Sequence, residues 1–289
     1  MIGPADRRAA GPEGLHRGRD ASGGVLHWWR AFAGILAREL RRFLGQRARF
    51  LAALVRPLVW LAIFAAGFRS VLGLSVMPPY RTYVLYETYI VPGLVGLVLL
   101  FHGMQAALSM VYDRETGSMR VLLTAPLPRW ALLAMRLVAN VLLAVPLAYA
   151  FLLLARFWGV RPPALGYLAA LPAITLAGAM LGALGLLVAS LVRQLENFAG
   201  VMNFVIFPLF FASTALYPLW RLEEASLLLS LVAQANPFSH AVELVRFALY
   251  LQLEPVALLV VGACFALCLA LAALAFDPGR GLWARRTEA

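Results

Sequence analysis

The 289 residues contain no lysine; all 25 basic positions are arginine. That absence removes two kinds of chemistry. A Walker A phosphate loop ends in a lysine that reaches the nucleotide phosphates, and Schiff-base chemistry needs a lysine amine. Any ATP this chain depends on is therefore hydrolysed by another protein. Only two cysteines occur, Cys264 and Cys268, four apart in an apolar run, a context of inert packing rather than metal or redox chemistry. The four histidines (His16, His27, His102, His240) are scattered, and no HExxH, GxSxG or SxxK motif is present. No catalytic residue, metal ligand or cofactor is expected.

What remains is apolar. Hydrophobic residues form 62% of the chain and charged ones 13%, against roughly 45–50% and about 25% in soluble domains. A helix needs about 20 apolar residues to cross the hydrocarbon layer, and six segments qualify: residues 51–68, 89–110, 137–157, 165–192, 198–217 and 256–276. The expected fold is an all-α polytopic membrane protein with six transmembrane helices. Arginine placement orients it, because short cytoplasmic segments are enriched in basic residues. With the N-terminus inside, 17 arginines fall in cytoplasmic segments and six, Arg246 among them, in outer ones; Arg56 and Arg136 lie near helix ends and can snorkel. Both termini are expected in the cytoplasm. The positive-inside bias accounts for the net charge of +11, so no nucleic-acid partner is expected. None of the 14 acids lies mid-span, where an ion-coupled carrier usually keeps one, and the two halves show no internal similarity of the kind inverted-repeat carriers carry.

Four regions follow: an arm over 1–24, lacking the apolar core of a signal peptide; an interfacial amphipathic helix over 25–49; a six-span domain over 50–276; and a cytoplasmic tail over 277–289. In the interfacial helix Trp29, Phe32, Leu36, Leu40 and Phe43 repeat at three and four, with Arg30, Arg38, Arg41, Arg42 and Arg47 largely opposite. It is equally an anchor to membrane lipid or a lever on the first span. Between spans five and six, "LEEASLLLSLVAQA" is too short to cross, and Asn236-Pro237 reads as an N-cap and first helical residue opening a second short helix. Two short outer re-entrant helices satisfy the rule that unpaired backbone cannot face lipid. Within the spans, His102 and Gln105 either hydrogen-bond between helices or line a substrate path; Asn203 is a further candidate pathway residue.

The stretch "VYDRETGSMRVLLTAPLPRW" interrupts this pattern between the second and third spans. Met119, Leu122, Leu123 and Pro126 fall at i, i+3, i+4 and i+7, giving a short amphipathic cytoplasmic helix that starts near Gly117 and breaks at Pro126. Asp113 and Glu115 lie before it, where acids suit the positive end of its dipole. Such a stub either lies on the membrane or docks into a groove of a soluble protein.

"YDRETGSMRVLLTAPLPRWALLAMRL" resembles the first cytoplasmic loop of permeases of type-2 (export) ABC transporters, whose pattern forms a coupling helix on the ATP-binding subunit. Arg114, Glu115, Gly117, Leu122, Leu123, Thr124 and Pro126 match; Asp113, Ser118 and Met119 depart mildly, and Arg120 stands where the family has an acid. "SLVRQLENFAGVMNFVIFPLFFASTALYPL" is similar to the family's fourth and fifth spans, and "NPFSHAVELVRFALY" to its outer Asn-Pro helix, with Asn236, Pro237, Glu243 and Arg246 in that segment. The resemblance implies a permease subunit in a bacterial inner membrane. It pairs with a second permease subunit, commonly an identical copy, and couples a separate ATP-binding subunit to export of a lipid, glycan or small hydrophobic molecule. The competing expectations are a non-transporting membrane scaffold or assembly factor and, more remotely, an intramembrane enzyme.

Overall fold

The computed structural model describes residues 25–45, 47–68, 78–80, 84–116, 128–192 and 194–276. The arm over 1–24 and the tail over 277–289 lie outside them. The architecture is all-helical. In chain order the α-helices among the described residues are α1 (Val25–Gly45), α2 (Arg47–Phe68), α3 (Tyr86–Glu115), α4 (Arg129–Ala155), α5 (Ala164–Leu191), α6 (Leu195–Phe211), α7 (Leu219–Ala225), α8 (Leu227–Ala235), α9 (Pro237–Leu249) and α10 (Pro255–Ala275).

Four of them are long and apolar enough to cross a membrane: α3, α4 with the single 3-10 turn that follows it, α5 and α10. The apolar parts of α2 (Leu51–Gly67) and α6 are shorter, and at 1.5 Å per residue α6 rises only about 26 Å. The fifth expected span, 198–217, is therefore not one helix: α6 stops at Phe211, three residues after Pro208, and 212–218 runs as turns.

α3 and α5 form the centre. Both are apolar on every face, as buried helices are, and α2, α4, α6 and α9 pack around α3 while α10 leans on α5 and α9. The two central helices approach closely through small residues, the usual device where lipid supplies no hydrophobic drive. A Cβ on Gly185 would stand 2.8 Å from the Gly103 carbonyl oxygen, so only glycine permits this approach. Tyr86, Tyr89, Phe151, Phe198, Phe210 and Phe238 fill the core. α10, by contrast, leaves Leu259, Leu267 and Leu274 exposed.

At the Tyr86 end of the bundle, the turns over 212–218 are buried yet lack helical hydrogen bonds. Side chains replace them. Tyr86 Oη donates to the Leu216 carbonyl (3.0 Å), Tyr89 Oη to that of Thr214 (2.7 Å), and Asn236 Nδ2 to those of Leu209 and Ala212 (2.8 and 2.7 Å). Ser239 Oγ accepts from the Thr214 amide at 3.1 Å. This is how irregular backbone is tolerated at membrane depth. Asn236 serves twice, because its Oδ1 also accepts from the Phe238 amide as the N-cap of α9, with Pro237 at the first position. The segment before it is not one helix: it divides at Ser226, whose extended backbone (φ −168°) separates α7 from α8.

Candidate functional site

At the opposite end, where α3 finishes with "VYDRE", Asp113 is 1% exposed. A buried carboxylate must be paired, and this one is paired three times over. Arg38 and Arg42 of α1 donate to it at 3.0 and 3.1 Å, and Arg136 of α4 makes the third ion pair. Arg38 also bridges to Glu39 at 2.8 Å. Burial alone would pull the Arg38 guanidinium down; the hydrogen bond to Glu39 and the charge of Asp113 outweigh it, and the net shift is upward.

Two expectations change here. Asp113 is not an acid waiting on the dipole of a following helix; it sits in the last turn of α3, with its charge consumed by arginines. Nor does Arg136 simply snorkel; it pairs with Asp113, as Arg38 and Arg42 do. On α1, Ile35 is buried against Leu132 and Ala139 of α4; Phe32, Leu36 and Phe43 of the expected apolar stripe are half-buried, and Trp29 and Leu40 are exposed.

Glu115 has a different role. Its Oε1 accepts from the Leu195 amide at 2.6 Å, at the N-terminus of α6, where free N–H groups and the helix dipole favour an anion. Arg114 is half-buried beside it. The segment over 117–127 thus leaves from α3, which is tied to α1, α4 and α6, and returns into α4. Near its return Trp130 faces Trp28 of α1 with ring centroids 6.2 Å apart. Gly117, Ser118, Met119, Arg120, Leu122, Leu123 and Pro126 themselves lie outside the described residues.

Beneath the arginine cluster is a cavity with about 80 Å³ of open space, between α1, α2, α3, α4 and α5. Its polar lining is Glu39, Arg42, His102, Gln105, Ser109, Arg136 and Asn140. His102 and Gln105 are therefore brought together as expected from their spacing, with Phe43 of α1 edge-on to the His102 ring at 5.8 Å. Asn203 is not with them; it is exposed on α6. Asn140 and Arg136 are the polar residues that sequence reasoning did not assign here. The one available signal was that they lie four apart in α4, on the same face.

At the Tyr86 end, Arg246 is not on an outer loop surface but 3% exposed. Its Nη2 donates to the Thr214 carbonyl at 2.9 Å and its guanidinium lies 4.1 Å from the centroid of the Tyr89 ring. With Asn236 it braces the turns over 212–218; Glu243 is half-buried on the same helix. No cluster of His, Cys, Asp and Glu able to hold a metal occurs among the described residues.

Residues 30–250 match the family model described as ABC-2 type transporter. Two relatives, candidate transport permeases designated ycf38, are similar: that of Cyanophora paradoxa is 25% identical over 68% of this chain, and that of Porphyra purpurea 26% identical over 69%. The matches span 66% and 67% of those relatives' own length.

Proposed function

The chain belongs to the ABC-2 type transporter family, a membrane permease by family and by its spanning helices, and on that premise we propose that it is the permease subunit of an ATP-driven exporter. In this reading the Glu115 end is cytoplasmic, both termini are inside, and α2 and α6 complete six spans, α6 extended by the side-chain-braced turns over 212–218. Residues 117–126 form the coupling helix that docks on a separate ATP-binding subunit. The chain performs no hydrolysis, consistent with its lack of lysine. A second permease copy completes the pathway, since closed two-fold assemblies are the commonest arrangement. The setting is a bacterial inner membrane and the cargo a lipid, glycan or small hydrophobic molecule.

The observation that carries this reading is the mounting of the 117–127 segment. Its entry is fixed to α1 and α4 through Asp113 and to α6 through Glu115. A loop with no mechanical duty has no need of four attached helices, whereas a push received there reaches all of them. ATP-driven closure of the partner would thus move α1, α3, α4 and α6 together and shift the bundle between inward- and outward-open states.

Affinity purification from native membranes in mild detergent, with mass spectrometry of what co-purifies, tests it. A P-loop ATPase at about one copy per permease is the expected result. Its reproducible absence from intact permease would replace this reading with a scaffold role.

A further inference from the structure

The cavity beneath the arginine cluster has unused hydrogen-bonding capacity. Among the described residues, Arg42 Nη1, His102 Nε2 and Asn140 Oδ1 are buried with no hydrogen-bond partner. His102 and Asn140 are each more than nine-tenths buried, and all three residues line the cavity. Buried polar atoms are rarely left so; others occur elsewhere among the described residues, but these three line one space. The charge is also unbalanced. Among the described residues, Arg38, Arg42 and Arg136 meet two carboxylates, Asp113 and Glu39, leaving one formal positive charge at the cavity rim. Several waters would fit, since one needs roughly 10–15 Å³ of such space, but water does not neutralise the charge.

The complement is a group with one negative charge at the arginine side and hydroxyls at the His102 side. Its setting narrows the class further. α1, which roofs the cavity, exposes Trp29, Leu40 and Leu44 as a helix lying in a lipid interface does, and Phe43, Leu137 and Leu186 make the remaining wall apolar.

We propose that this cavity binds the phosphate-ester head of an anionic amphiphile. Arg42 and Arg136 hold the phosphate through charge-assisted hydrogen bonds, while His102 and Asn140 take the headgroup hydroxyls. It lies within one subunit, between α1 and the α3–α5 core, and its occupancy fixes α1 against α3 and α4. The inference rests on α1 being interfacial and does not require export.

The test uses the purified, delipidated full chain and native mass spectrometry with phosphatidylglycerol, phosphatidylcholine or soluble glycerol phosphate. Phosphatidylglycerol should be retained at one per chain and phosphatidylcholine should not. Arg42→Gln and Asn140→Leu should each weaken retention roughly tenfold or more in protein that still elutes as a folded species. As a second measurement, Ser109→Cys in a Cys264→Ala, Cys268→Ala background places a thiol at the cavity wall, and phosphatidylglycerol should slow its reaction with a maleimide. Protection by glycerol phosphate alone would keep the chemistry and make the source soluble. Equal retention of both lipids, unchanged by either variant and without thiol protection, overturns the proposal. No ATPase or transport activity is read, so this test and the co-purification test fail independently.

Discussion

Asp113 and Arg136, 23 residues apart in the chain, are ion-paired across the two helix ends that bound the 117–127 segment. Their pairing makes the exit of α3 and the entry of α4 one mechanical unit, and Arg38 and Arg42 extend that unit to α1.

Removing the shared acid should therefore cost more than an ordinary surface pair. Asp113→Asn leaves three guanidiniums facing one another, and a loss of about 3 kcal/mol is expected, the lower range for a broken buried ion pair because Arg38 and Arg42 are partly solvated. Adding Arg136→Met to Asp113→Asn should recover part of it, since that deletes the most buried cation while keeping its volume. Thermal unfolding in detergent reads both; equal midpoints for the single and double variants would remove the pair from this role.

Asn236 offers a sharper discrimination. Were it only an N-cap, Asp would replace it almost without cost. Because its Nδ2 also serves the Leu209 and Ala212 carbonyls, Asn236→Asp turns two donors into a charged acceptor against two carbonyls. A loss of about 2 kcal/mol or more is expected, from two hydrogen bonds of about 1 kcal/mol each, and Asn236→Asp should be no better than Asn236→Ala. Limited proteolysis between α6 and α9 and the unfolding midpoint both report it.

The α3–α5 approach predicts an asymmetry between two glycines of one helix. A Cβ at 185 meets backbone of α3 at 2.8 Å, whereas one at 178 meets only the end of Leu99 at 3.5 Å. Gly185→Ala should cost about 1–3 kcal/mol by forcing the helices apart; Gly178→Ala should be close to neutral. Comparable midpoints for the two variants would show that the helices do not pack this tightly.

Coupling itself is tested at Gly117, just past the last turn of α3. Gly117→Pro should abolish transport while leaving folding and ATPase association intact, because proline fixes the backbone where the coupling helix must begin. Normal transport by a well-expressed Gly117→Pro protein would remove residue 117 from the coupling path.

The long apolar helices were legible because length and composition alone decide them; α3, α4, α5 and α10 need no tertiary information. The Asn236-Pro237 start of α9 was legible for a local reason, cap chemistry confined to three residues. What escaped was electrostatic and long-range. Arg38 and Arg42 lie on the polar side of α1 by periodicity, and nothing within α1 says that a carboxylate 75 and 71 residues away will claim them. Arg136 was expected to snorkel because it lies near the end of its helix, and no partner is visible within that helix. The early end of α6 depended on donors from Tyr86, Tyr89, Asn236 and Arg246, which belong to two other helices. The cavity likewise draws its polar lining from α1, α3 and α4; His102 and Gln105 were legible as a pair within one span, and of the rest only the four-residue spacing of Arg136 and Asn140 left a trace in the chain.

The facing rings of Trp28 and Trp130 supply a native optical gauge. They straddle the junction between α1 and the return of the 117–127 segment, at a separation where neighbouring indoles quench and couple. A stroke that carries α1 and α4 as one unit should leave their coupled emission unchanged, whereas one that parts them should alter it, so the rigidity of this junction can be followed in the unlabelled protein in real time, with Trp28→Phe as the blank.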